Sequence, residues 1–171
     1  EWIRGLVESG HAKRVALVGR TAADVRDVMA EGPSGLIPIA TPSMRPKYEP
    51  SKRRLIWPNG AVATMFTADE PNLLRGPQFD AAWCDELAAW KYTEAFDQLM
   101  FGLRLGNDPR CVITTTPRPI QIIRDLMESK TCFITKGSTY ENAVNLAPQF
   151  FHDIINKYEG TALGRQELYE I

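Results

Sequence analysis

The chain predicts an α/β fold: a mainly parallel sheet flanked by helices, with one β-hairpin inserted. Two observations carry this expectation. Short apolar runs with strand character recur along the sequence, and helical patterns separate most of them. One pair of runs is joined instead by Pro58-Asn59-Gly60, whose Asn-Gly step tolerates the positive φ of a type I′ hairpin turn. Strands that alternate with helices pair in parallel, because each helix carries the chain back to the same edge of the sheet. The length of 171 residues suits one domain, since a domain of about 150 residues buries roughly 70% of its unfolded surface.

The elements follow in order. "EWIRGLVESGHAKR" reads as the last turns of a helix, so the chain is expected to begin in mid-element. The expected strands are "RVALVG" (14–19), "RRLIW" (53–57), "AVATMF" (61–66), "DAAWC" (80–84), "CVITTT" (111–116) and "CFITKG" (132–137). After the first strand, Thr21 is a candidate N-cap, Asp24 stands where a capping box needs its acid, and Gly32 marks a stop. "TEAFDQLMFGLRL" (93–105) lines Phe96, Leu99, Met100 and Leu103 on one helical stripe, and a further helix starts after Pro119.

Bulk properties exclude several function classes. No apolar run approaches the roughly 20 residues of a membrane helix. A net charge of −1 argues against coating nucleic acid by bulk charge, while leaving local basic patches open. Cys84, Cys111 and Cys132 lie far apart in apolar surroundings without zinc spacing, as buried free thiols in a reducing compartment would. His11 and His152 stand apart from any carboxylate pattern.

In parallel sheets, function gathers at the carboxyl ends of the strands. Three such ends stand out: Gly19-Arg20-Thr21, Asp85-Glu86, and Thr114-Thr115-Thr116-Pro117-Arg118-Pro119. An apolar strand that ends in Asp-Glu is the Walker B pattern of ATPases. There the aspartate orients the water shell of magnesium and the glutamate positions the attacking water. The bland alternative is an acidic pair that caps "ELAAWKY" as a helix. The three threonine hydroxyls at a stiff strand tip suit sensing of a γ-phosphate, or equally a capped loop.

The stretch 73–119, "LLRGPQFDAAWCDELAAWKYTEAFDQLMFGLRLGNDPRCVITTTPRP", closely resembles the ATPase domain of the large terminase subunit, the DNA-packaging motor of tailed phages and gene transfer agents. "RVALVGRTAADVRDVM", "YEPSKRRLIWPNGAVATMF" and "KGSTYENAVNLAP" extend the resemblance over nearly the whole chain. It implies an ASCE-type P-loop ATPase core that uses ATP and Mg2+ to move double-stranded DNA into a procapsid. It places Asp85 at the Walker B acid and metal position, Glu86 at the catalytic glutamate, and Thr114, Thr115 and Thr116 at the nucleotide-responsive coupling motif. It implies a homo-oligomeric ring on the portal protein, a small terminase subunit as partner, no membrane, and action in the cytoplasm of a bacterial host.

Arg75, before the Asp-Glu strand, matches an arginine that reaches a neighbouring subunit's nucleotide. The alternative is a turn arginine paired with Asp80 or Glu70. Lys52, Arg53 and Arg54, with Arg45 and Lys47 nearby, are candidates for DNA phosphates or for a solvated hairpin face. Trp57, Trp83 and Trp90 fit packing roles better than base stacking.

One departure from the family pattern is plain. G-x-x-x-x-G-K-[ST] occurs nowhere in the chain, and the turn at Gly19 lacks the second glycine and the lysine. The expectation is therefore a partial P-loop ATPase domain over 1–160, its phosphate loop ahead of Glu1, with 161–171 opening a connection to a nuclease domain. On that expectation the 171 residues alone turn over no ATP. Two other readings remain: a non-catalytic remnant or assembly module that binds DNA or portal, and a helicase-like ATPase.

Overall fold

The computed structural model describes residues 1–137, 140–141, 147–161 and 164. The chain divides into two compact units, Glu1–Thr115 and Thr116–Ile171. In the first unit β1 (Arg14–Gly19), β2 (Lys47–Glu49), β3 (Arg54–Ile56), β4 (Val62–Thr67), β5 (Ala81–Asp85) and β6 (Arg110–Thr114) form one sheet. Their spatial order is β2-β3-β4-β1-β5-β6. β4, β1, β5 and β6 run parallel, while β2 and β3 form the antiparallel edge. The mainly parallel sheet with its inserted hairpin is as the sequence predicts.

β1 is central, and Val15 to Gly19 are buried without a break, as a strand covered on both faces requires. Side chains alternate across a strand, so Val15 and Leu17 share one face. They join a core with Ile3 and Val7 of α1 (Trp2–Glu8), Met29, Leu36, Leu55 and Trp57. Ile3 and Val7 are four apart and so fall on one side of their helix. Burying each large apolar side chain contributes about 1.5–3 kcal/mol.

After β1 the chain turns at once. Thr21 Oγ1 accepts the amide of Asp24 and the Asp24 carboxylate accepts the amide of Thr21, which is the expected capping box at the start of α2 (Ala22–Asp24). The helix then widens over Val25–Ala30, where the Glu31 amide reaches five residues back to the Arg26 carbonyl. Gly19 has no room for a side chain, since a Cβ there would lie 2.8 Å from Val25 Cγ2.

Several sequence expectations need correction. The hairpin between β3 and β4 forms, but not through a type I′ turn. Gly60 has φ +86° while Asn59 is not among the residues of positive φ. The Gly60 amide bonds the Trp57 carbonyl, and Trp57 pairs with Ala61. This is a three-residue loop in which Pro58 presets the first turn position and glycine supplies the left-handed one. β2 went unread because it is three polar-rich residues at an edge.

The run 132–137 belongs to no strand. Phe133 is 91% exposed, and strand propensity has effect only where a ladder and a face to pack on are available. The helix expected over 93–105 is α3 (Glu94–Gly102), with Phe96 and Leu99 buried. It stops where Leu103 bridges to Phe79.

The second unit holds α4 (Gln121–Glu128) and α5 (Pro148–Tyr158), the latter with proline in its first turn. The connection expected over 161–171 lies almost wholly outside the described residues, as do parts of "KGSTYENAVNLAP". Among the described residues no helix is long and apolar enough to cross a membrane.

Candidate functional site

Parallel pairing brings the carboxyl ends of β1, β5 and β6 to one edge. Val18 stands beside Cys84, and Asp85 stands beside Thr114. Two of the three expected strand ends thus meet directly. The Thr114 hydroxyl donates to Asp85 Oδ1 at 2.7 Å, a full-strength hydrogen-bond distance. The Thr115 hydroxyl donates to Glu86 Oε1 at 3.4 Å and accepts the amide of Ala88 at 2.9 Å. Each acid is therefore tied to the threonine one strand away.

Glu86 itself leaves the strand in the left-handed region, at φ 51° and ψ 48°. A side-chain-bearing residue there stores strain, and such residues gather at functional sites. The acidic pair does not cap an α-helix; only the short 3₁₀ turn Leu87–Ala89 follows.

Two tryptophans complete the tip. Trp83 Nε1 donates to Thr114 Oγ1 at 3.0 Å, and Trp90 Nε1 donates to the Asp85 carbonyl at 2.9 Å. The sequence assigned both rings to packing and missed their N–H groups. Strand alternation offered the clue, because Trp83 precedes Asp85 by two residues and so shares its face. On the other face, Cys84 and Cys111 place their sulfurs 3.7 Å apart. Burial, reinforced by Cys111, pushes the Cys84 thiol well up, which keeps it protonated and unreactive.

The third strand end stays apart from this chemistry. Arg20 pairs with Asp24 at 3.2 Å, Thr21 is consumed in the capping box, and the Thr67 hydroxyl donates to the Arg20 carbonyl. Thr116 opens the second unit.

Arg75 follows the turn Pro71–Leu74, with Gly76 behind it at φ +97°. Neither acid considered for it is its partner. Asp80 accepts the amides of Lys13 and Arg14, and Glu70 pairs with Arg53. Arg75 instead lines a cleft of about 160 Å³ with Gln98, Phe101 and Arg104. Sequence reasoning passed over Arg104; the link is the Phe79 carbonyl, which accepts the Arg104 amide and pins the two segments together.

The basic hairpin is largely self-paired. Lys52 and Arg54 share Glu49 at 3.5 and 2.9 Å, and Arg53 takes Glu70 at 3.3 Å.

No group of three or more His, Cys, Asp or Glu side chains among the described residues is arranged to hold a metal ion. Magnesium keeps several waters and takes one or two carboxylates together with substrate phosphates. Asp85 fits such a role: Oδ1 is engaged by Thr114, and Oδ2 accepts no hydrogen bond from the described residues.

The model of the family described as "Terminase large subunit, T4likevirus-type, N-terminal" matches residues 4–169. The chain belongs to the terminase large-subunit family. Solved terminases share its fold. The ATPase domain of the large terminase of Thermus phage P74-26 aligns at 14% identity and a TM-score of 0.62, covering 96% of this chain and 79% of that one. The large terminase of a thermophilic bacteriophage aligns at 14% identity and a TM-score of 0.72, covering 91% of this chain and 40% of that one. The same phage's terminase in complex with ADP aligns at 13% identity and a TM-score of 0.68, covering 93% and 40%. This terminase chain thus spans well under half of that second phage's protein. No curated protein sequence matches it.

Proposed function

We propose that the chain forms the hydrolytic core of an ASCE-type DNA-packaging motor, coupling Mg-ATP hydrolysis to the movement of double-stranded DNA into a procapsid. The observation that carries this reading is the pairing of Asp85 with Thr114 and of Glu86 with Thr115 across neighbouring strand tips. The ADP found in one terminase of the same fold supports it.

On this reading Asp85 holds the waters around the metal, and Glu86 orients the attacking water and accepts its proton. Magnesium, when bound, supplies charge neutralisation for the phosphoryl oxygens. Thr114 and Thr115 fix the two acids and carry a change at the nucleotide into β6. Arg75, with no acid paired to it among the described residues, is presented in trans to a neighbouring subunit's nucleotide. On the same reading the motor is a homo-oligomeric ring, seated on a portal protein and served by a small terminase subunit, in the cytoplasm of a bacterial host. Residues 1–160 belong to part of the ATPase domain and 161–171 lead on towards a nuclease.

The test is Glu86→Gln in the full-length protein. It keeps size and hydrogen bonding while removing the charge that orients water, so turnover falls by about 10² to 10⁴ while ATP binding persists. Loss of binding with unchanged turnover per bound ATP would show the role to be wrong.

A further inference from the structure

The threonine at the tip of β6 has one proton and three neighbours. Thr114 Oγ1 lies 2.7 Å from Asp85 Oδ1, 3.3 Å from the Cys84 carbonyl and 3.0 Å from Trp83 Nε1. The indole N–H is a donor and nothing else, so toward Trp83 the hydroxyl must accept. Its own proton then goes to one of two oxygens, and the shorter contact and the negative charge both favour Asp85. A hydroxyl that accepts a hydrogen bond also becomes a better donor.

Trp83 packs on the apolar core of the sheet, Thr114 and Asp85 are register partners, and Trp90 Nε1 donates to the Asp85 carbonyl at 2.9 Å.

We infer that Trp83 is a positioning residue: through its indole N–H it sets the direction of the Thr114 proton, which keeps Asp85 Oδ1 occupied and leaves Oδ2 for the metal's water shell. This rests on the proposed role of Asp85. It predicts a line of influence from a half-buried aromatic to a metal site that it does not touch.

The experiment uses the full-length protein and reads Mg2+ titrations of ATP binding alongside the nitrogen-attached proton spectrum of the indoles. Trp83→Phe keeps the packing ring and deletes the donor. Apparent Mg2+ affinity should fall about tenfold, within the range seen when partners of metal ligands are removed, while ATP binding without metal changes less than about twofold. Thr114→Ser should bind Mg2+ as the wild type does, and Thr114→Val should lose as much as Trp83→Phe. The double variant Trp83→Phe/Thr114→Val should be no worse than Thr114→Val, because the two groups act in series.

In the otherwise unsubstituted protein the Trp83 indole resonance should move on Thr114→Val. Unchanged Mg2+ affinity in Trp83→Phe, additive losses in the double variant, or an indole resonance indifferent to Thr114→Val overturns the inference. A wild-type protein that binds no Mg-ATP overturns instead the reading of Asp85 on which it depends.

Discussion

At the tip of β5, two adjacent acids each meet a threonine hydroxyl from the neighbouring segment, and Asp85 has no base beside it among the described residues. At the β2–β3 hairpin, three adjacent bases meet two acids within salt-bridge distance. Both clusters look alike as charge runs, yet their surroundings differ. The hairpin closes its electrostatics on itself, and Arg54 at 2.9 Å, with Lys52 adding to it, holds the Glu49 carboxyl below its ordinary range. At Asp85 the charge meets no base among the described residues, and a cation can supply the balance. Sequence clustering marks where charge is; the elements around it decide whether the charge is already spent.

The strongest test concerns Arg75, the cation proposed to arrive with a neighbour. Arg75→Ala in the assembled full-length motor should lower hydrolysis by about 10³ to 10⁵, the worth of an arginine acting on a transferring phosphoryl group. Mixed rings of Arg75→Ala and Glu86→Gln subunits, each inactive alone, should regain part of the activity, because some interfaces pair an intact Arg75 with an intact Glu86. If mixing restores nothing while both variants still assemble with wild type, Arg75 does not act in trans. The counterpart for the metal is Asp85→Asn, which should weaken Mg-dependent ATP binding by about 10- to 100-fold while metal-free binding stays within about a factor of two.

The closed hairpin should respond far less. Three bases face Glu49 and Glu70, which leaves about one surplus positive charge. Removing Lys52, Arg53 and Arg54 together should therefore reduce the slope of log affinity for double-stranded DNA against log salt by about one rather than about three. A drop near three would show that the hairpin surrenders its internal pairs to phosphates.

The smallest effect is in stability. Glu49 is depressed in the folded protein, so its contribution is complete above the ordinary carboxylate range and is lost as the pH falls through the lowered value. Melting curves of wild type and Glu49→Gln should therefore differ slightly at neutral pH and converge in acid. Surface pairs of this kind give little, so a shift of several degrees would contradict the self-contained picture of the hairpin.

The parallel core was legible because buried strands read as unbroken apolar runs: 14–19, 61–66 and 80–84 fall within a residue of β1, β4 and β5 at their starts and ends. The Asp-Glu tip was legible because acids at the end of such a run need a reason to be there. The short edge strand Lys47–Glu49 was not, since three residues carry no period, and the run 132–137 misled because composition says nothing of available partners. The two indole donors escaped notice for a different reason. A tryptophan in an apolar pattern satisfies the packing rule completely, and only register shows that its N–H lies beside a threonine on the next strand. The resemblance supplied Arg75, which the chain's own pattern marks only as a turn.

The left-handed backbone at Glu86 carries a cost of its own. A chain under selection for folding alone would place glycine there, because glycine adopts that geometry without a clash. Keeping a long acid means keeping about 1–3 kcal/mol of conformational strain at one peptide unit. With the role proposed for Glu86, thermal endurance and turnover oppose each other at a single position: Glu86→Gly should melt higher than the parent while losing hydrolysis in the full-length protein. Screens of this family for heat tolerance would be expected to return silent motors from that position, enriched for the substitution that abolishes the work.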